Sequence, residues 1–107
     1  MEAMSPQEVQ KLREDGRKIL LLDVRNEDEY AEVHAKDVIL HPLPTLDVDE
    51  VKEIHENGGY EDTVYCICRS GARSQTACGQ LEAAGMKTVN VTGGTLAWVA
   101  AGLPTGD

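Results

Sequence analysis

The sequence predicts an α/β fold, a parallel sheet with helices on both faces. Three observations carry this. Short apolar runs alternate with stretches of helical spacing along the whole chain. Two of the runs, Ile19-Leu20-Leu21-Leu22 and Val64-Tyr65-Cys66-Ile67, are continuous rather than alternating, as in strands covered on both faces. The segments between runs are too long for hairpins and have helical patterns of their own.

Taken in order, Ser5-Pro6-Gln7-Glu8 is a helix start, with Ser5 as N-cap, Pro6 at the first helical position and Glu8 completing a capping box. Val9 and Leu12 give that helix its apolar stripe, and Gly16 ends it. The first strand, Ile19 to Leu22, runs out into Asp23-Val24-Arg25. Asn26-Glu27-Asp28-Glu29 caps a short helix through Tyr30 and Val33, with acids in its first turn. Val38-Ile39-Leu40 is a brief second strand, and the prolines of His41-Pro42-Leu43-Pro44 predict an extended segment. Val48, Val51 and Ile54 mark a helix that Asn57-Gly58-Gly59 ends. Val64 to Ile67 is the third strand. A helix from about Ser74, with Ala77, Leu81 and Ala84 on one side, stops at Gly85. Thr88-Val89-Asn90-Val91 is the fourth strand. Gly93-Gly94 turns into a last helix holding Leu96, Trp98 and Val99, closed by Gly102 and Pro104. Ala3-Met4 is a candidate for one further short strand.

The 107 residues suit one domain. With 41% hydrophobic residues the chain can form a core, and 27% charged residues suit a soluble surface. The net charge of −9 disfavours binding to nucleic acid or an anionic membrane. No apolar run approaches the ~18 residues of a membrane span. The first residues show neither the basic nor the apolar region of a signal peptide. The three cysteines are an odd count, so free thiols in a reducing, cytoplasmic setting are expected rather than a disulfide framework.

The chemistry concentrates in Cys68-Arg69-Ser70-Gly71-Ala72-Arg73-Ser74, between the third strand and the helix after it. In a parallel sheet, ligands bind at the carboxyl ends of the strands. A helix N-terminus there offers unpartnered N–H groups to an anion. A thiol so placed, flanked by Arg69 and Arg73, should ionise more readily than a free cysteine. Gly71 permits a positive φ, which lets N–H groups turn inward. The plainer alternative, a small buried thiol followed by a polar turn, leaves two arginines and a glycine in one loop unexplained. Asp23 and Arg25 fall at the same edge of the sheet. As an i,i+4 pair, Arg25 and Glu29 are either a surface ion pair or a brace for the loop.

In four pieces, in order, the chain resembles the rhodanese family over nearly its whole length: Leu22-Asp23-Val24-Arg25 with Glu29-Tyr30 and His34; the loop from Cys68 to Ser74; Leu81 to Gly85 followed by Val89; and Gly93-Gly94 with Trp98. The resemblance implies a five-stranded parallel core and a cysteine that forms a persulfide. Cys68 would carry the sulfur and the N–H groups of Arg69 through Ser74 would line its pocket, with Asp23 and Arg25 as loop supports. Arg69 or Arg73 would hold a small anionic donor such as thiosulfate. The acceptor would be cyanide or a thiol, including one on another protein. Neither cofactor nor metal is implied, and a domain of this size can act as a monomer. The chain departs from the family's pattern around His34, which Val33 precedes and Ala35-Lys36-Asp37-Val38 follows, where members have a glycine and an Ile-Pro-Gly-Ala-like run.

Three rivals remain at this level. Cysteine-loop phosphatases and arsenate reductases also close their loop with arginine, but with one more residue than the four between Cys68 and Arg73. Non-catalytic domains of the same fold generally lack the cysteine. A metal site at Cys66 and Cys68 would lack a second ligand pair. Cys66, Cys78 and Trp98 are expected in the core, Ser70 and Ser74 as turn residues that could donate to sulfur, His34 in a structural role, and His41 and His55 near the surface.

Overall fold

The structure, a computed structural model, describes residues 1–106. Five strands, β1 (Glu2–Met4), β2 (Leu20–Asp23), β3 (Ile39–Leu40), β4 (Thr63–Ile67) and β5 (Lys87–Val91), form one sheet in the order β1-β5-β4-β2-β3. Every pairing is parallel. The Ala3-Met4 segment is thus a true strand, an edge strand paired with β5. β4 is central, and its last residue, Ile67, pairs with Asp23 of β2.

The five helices are α1 (Pro6–Glu14), α2 (Glu27–Glu32), α3 (Val48–Asn57), α4 (Ala72–Ala83) and α5 (Gly94–Ala100). α1 starts as its sequence requires: Ser5 Oγ accepts from the Glu8 N–H at 3.2 Å, and the Glu8 carboxylate accepts from the Ser5 N–H at 3.0 Å. Successive strand residues point to opposite faces, and this divides the core in two. Leu20, Leu22, Val64 and Cys66 pack with Val51 of α3 and Ala77, Cys78 and Leu81 of α4. Leu21, Tyr65, Ile67 and Val89 pack with Val9 of α1 and Trp98 of α5. Both faces of the sheet are therefore dry, which is why its central strands read as unbroken apolar runs. Truncating a fully buried leucine such as Leu22 to alanine should cost ~2–5 kcal/mol.

The structure departs locally from the sequence expectations. The segment after β3 is not extended throughout: Leu43–Thr45 form a single 3-10 turn, with Thr45 N–H donating to Pro42 O at 3.1 Å. Proline is compatible with the first positions of such a turn, because its missing N–H has no partner to lose. α4 begins at Ala72 rather than Ser74, so Ser74 lies inside the first turn. His41 is buried instead of exposed, and its Nε2 lies 3.0 Å from Glu50 Oε2. His55, on α3, is partly buried and its Nε2 lies 2.6 Å from the Glu61 carbonyl.

The unusual run after His34 makes a defined turn. Asp37 has φ +57°, a left-handed conformation that aspartate tolerates better than most residues, and it stands where the resemblance expects glycine. Arg13 of α1 holds the turn by donating to Lys36 O at 2.6 Å and Asp37 O at 3.1 Å. Among the described residues, no helix is long and apolar enough to cross a membrane.

Candidate active site

Cys68 follows the last residue of β4 and is almost fully buried, at 1% exposure. The chain then turns sharply, and Gly71 makes the turn with φ +114°, a conformation that disfavours any side chain. This aims the Gly71 N–H at the Cys68 sulfur, 3.0 Å away. Because α4 starts directly afterwards, Ser74 is brought back over the same sulfur. Its hydroxyl lies 3.3 Å from Sγ and is fully buried, not an exposed turn serine.

Burial pushes the Cys68 thiol up, but the Ser74 hydroxyl and the N–H groups of Ser74, Gly71 and Ser70 outweigh it. The net effect holds the thiol below its ordinary value. The arginines expected to supply this effect act differently. Arg73 makes a two-pronged pair with Glu29, at 2.6 and 2.7 Å, across 44 residues of sequence. That pair, with the Asn26 N–H, holds the Glu29 carboxyl down to about 2 despite some desolvation. So Arg73 anchors α4 to α2, and its charge is already met. Arg69 is exposed, and among the described residues no carboxylate pairs with it.

Arg25 does not pair with Glu29 in either of the ways expected. It lies buried against Asp23, with Nε 2.9 Å from Oδ1 and Nη2 2.7 Å from Oδ2. It also donates to Val33 O at 2.7 Å, tying the end of β2 to the end of α2. An ion pair buried to this degree fixes geometry more than it adds stability. Ser70 and Ala72 are exposed at the loop's outer side.

The loop's carbonyls are held from behind by α5. Thr95 donates to Cys68 O through its N–H at 2.8 Å and its hydroxyl at 3.0 Å, and the Leu96 N–H donates to Arg69 O at 3.1 Å. Gly94 makes this approach possible: a Cβ there would lie 2.4 Å from Cys68 O and 2.6 Å from Arg69 C. With the carbonyls turned toward α5, the N–H groups turn toward sulfur. Neither Thr95 nor Asn90 was predicted from the sequence. Asn90 Nδ2 donates to Gly71 O at 3.2 Å, and its Oδ1 accepts from the Ser74 hydroxyl. A polar residue between Val89 and Val91 of β5 was the available signal.

Beside the loop lies a cleft of about 360 Å³ lined by Arg69, Thr95, Leu96, Val99, Val33 and neighbours on α2. Val33, Leu96 and Val99 are large apolar side chains at 36%, 53% and 46% exposure. A larger depression around Thr63, Met86 and Lys87 lies at the opposite, amino-terminal edge of the sheet, away from Cys68. Cys66 and Cys78 are fully buried in the core, where a thiol hydrogen bond between them and desolvation push Cys66 well up. Among the described residues, no group of three or more histidine, cysteine or acidic side chains is placed to hold a metal ion.

The family model for the rhodanese-like domain matches residues 5–101. An uncharacterized protein of Synechocystis is 33% identical over 95% of this chain, which spans about half (54%) of that relative's length. A sulfurtransferase of Allochromatium vinosum is 34% identical, over 84% of this chain and 80% of its own. A solved structure from Staphylococcus saprophyticus superposes with a TM-score of 0.78 at 28% identity, covering 92% of this chain and 93% of the other. With a family model matching residues 5–101 and a relative 34% identical over 84% of this sequence, the chain belongs to the rhodanese family.

Proposed function

We propose that this protein moves a sulfane sulfur from thiosulfate or a persulfide to a thiol or cyanide, through a persulfide on Cys68. The observation that carries the proposal is the cradle around one sulfur atom: Gly71 N–H at 3.0 Å and Ser74 Oγ at 3.3 Å, at the exit of the central strand. These donors favour a thiolate without a neighbouring base. The thiolate attacks the outer sulfur of thiosulfate, the sulfur–sulfur bond of the donor breaks, and sulfite leaves with the bonding electrons. The acceptor's nucleophile then takes the outer sulfur, and Cys68 departs as thiolate into the same donors. Sulfite and thiolate are both competent leaving groups, so the step needs no carboxylate or histidine beside the sulfur.

Arg69, with which no carboxylate among the described residues pairs, is the cation best suited to the sulfonate of thiosulfate. The apolar wall of Val33, Leu96 and Val99 suits a carbon-bearing thiol acceptor, including one presented on a protein surface. The proteins named sulfurtransferase among the relatives support the reaction class.

The test is mass spectrometry of the protein after exposure to thiosulfate, with and without cyanide. One added sulfur on the peptide carrying Cys68, removed by cyanide and missing in Cys68→Ser, is the expected result. Full turnover in Cys68→Ser, or sulfur found only on Cys66 or Cys78, would refute the proposal.

A further inference from the structure

Ser74 has one hydroxyl proton and three acceptors around it. These are Cys68 Sγ at 3.3 Å, Gly71 O at 3.1 Å and Asn90 Oδ1. The proton can serve only one of them well at a time. Gly71 O is the weakest claimant, because it already accepts from the Gln75 N–H at 3.2 Å and Asn90 Nδ2 at 3.2 Å. That second bond also fixes the amide: Gly71 O can only accept, so Asn90 must turn Nδ2 to it and Oδ1 to Ser74. Asn90 is itself anchored, since it sits in β5 between β1 and β4, opposite Ala3 and Cys66.

The contest is therefore between an amide oxygen and a sulfur whose charge changes. A neutral thiol is a weak acceptor, and the amide oxygen takes the proton. A thiolate accepts a charge-assisted bond, roughly twice as strong as a neutral one, and takes the proton instead. We propose that Asn90 is a positioning residue that holds the Ser74 proton away from Cys68 while the sulfur is neutral and releases it when the sulfur carries charge. If Cys68 forms a persulfide, the negative charge moves to the outer sulfur, and the Ser74 proton returns to Asn90 until the inner sulfur leaves as thiolate. That last consequence rests on the sulfur-transfer proposal. The proton contest itself does not.

The other charged or titratable groups near Cys68 are Arg69 and Arg73, with Glu29 behind Arg73; Asp23 and Arg25 at the end of β2; and Cys66 on β4. None of them bonds Ser74 or Asn90. Asn90 thus acts on Cys68 through one hydroxyl, and its effect has a definite sign. As a competing acceptor it opposes ionisation, so its removal should make the thiol more acidic. As a mere brace for the loop its removal should make the thiol less acidic, because the N–H cradle would loosen.

The experiment follows the rate of iodoacetamide alkylation of Cys68 against pH, read by mass spectrometry on its peptide in the full chain. The variants are Asn90→Ala, Ser74→Ala and the double variant. Ser74→Ala should raise the Cys68 pKa by about one unit through loss of a donor to the anion. Asn90→Ala should lower it by about half a unit to one unit, and should change nothing further in the Ser74→Ala background. Asn90→Leu, with the same heavy-atom branching and no acceptor, should reproduce the result and carries the test if Asn90→Ala does not fold. A rise in pKa on removing Asn90, or the same shift with and without Ser74, would overturn the proposal. Because alkylation needs no sulfur donor, it decides this point even if thiosulfate proves not to be a substrate.

Discussion

Gly94→Ala should disable the site while leaving most of the fold in place. Gly94 has φ +59°, so an alanine there adopts a left-handed conformation costing ~1–2 kcal/mol. Its Cβ would also lie 2.4 Å from Cys68 O and 2.6 Å from Arg69 O, and both are backbone atoms that cannot swing aside. Restoring an ordinary contact requires the loop and α5 to separate by about 1 Å, which stretches the bonds from Thr95 and Leu96 to those carbonyls. A misplacement of that size at reacting groups costs on the order of 100-fold in rate. Stability should fall by about 2–4 kcal/mol from the conformational cost and the strained bonds together. The assays are thermal melting, the pH dependence of Cys68 alkylation, and thiosulfate:cyanide sulfur transfer at a temperature where the variant is folded. The expected outcome is a folded protein with a less acidic Cys68 and turnover reduced about 100-fold. A variant with native melting, native Cys68 reactivity and full turnover would refute the claim that α5 sets the loop.

Arg69→Ala should reduce kcat/KM for thiosulfate about ten- to hundredfold, the value of one charge-assisted contact, and affect a neutral persulfide donor much less; equal losses with both donors would remove Arg69 from donor binding. Arg73→Ala should instead reduce turnover to the same extent with every donor, because it releases α4 from Glu29; a loss confined to thiosulfate would restore Arg73 as a binding residue. Glu29 has its folded pKa depressed from 4.5 to about 2, so its contribution to stability is present above pH 4.5 and is lost as pH falls toward 2. The pair is partly exposed, which keeps this contribution small. Chemical denaturation across that range should show it in wild type and not in Glu29→Gln, and identical pH profiles would show the pair to be without thermodynamic weight.

The parts legible in the sequence are those set by short-range pattern. Ser5, Pro6 and Glu8 specify the start of α1 within four residues, and unbroken apolar runs identify β2 and β4 because both their faces are covered. β1 is legible only as a possibility, since three residues, two of them exposed, have no periodicity to detect. The site divides along the same line. Cys68 and Gly71 are close in sequence and their roles follow from a strand running into a helix. The Arg73–Glu29 pair joins residues 44 apart, and nothing local points to it. Arg25 invited pairing with Glu29 at helical spacing. β2 ends at Asp23, however, and the chain bends at Arg25, whose N–H donates to Asp23 Oδ1 at 3.1 Å, so Asp23 was the nearer partner. Ser74 and Asn90 meet because α4 lies over β4 and β5, a matter of packing and not of sequence spacing.

The strand order has a bearing on how the chain is made. Among the described residues, β1 pairs only with β5, and the carbonyls of Cys68 and Arg69 find their donors only at residues 95 and 96. During synthesis from the amino terminus, β2, α3 and β4 can leave the ribosome while β1 still has no neighbour and the cysteine loop has no backing. Contacts of such long sequence separation form late. Once Cys68 has emerged, the nascent chain would therefore expose an ordinary thiol until residues 95 and 96 follow it. Cys68 acquires its distinctive acidity only as the sheet closes, so the emergence of its reactivity could serve as a built-in reporter of completed folding.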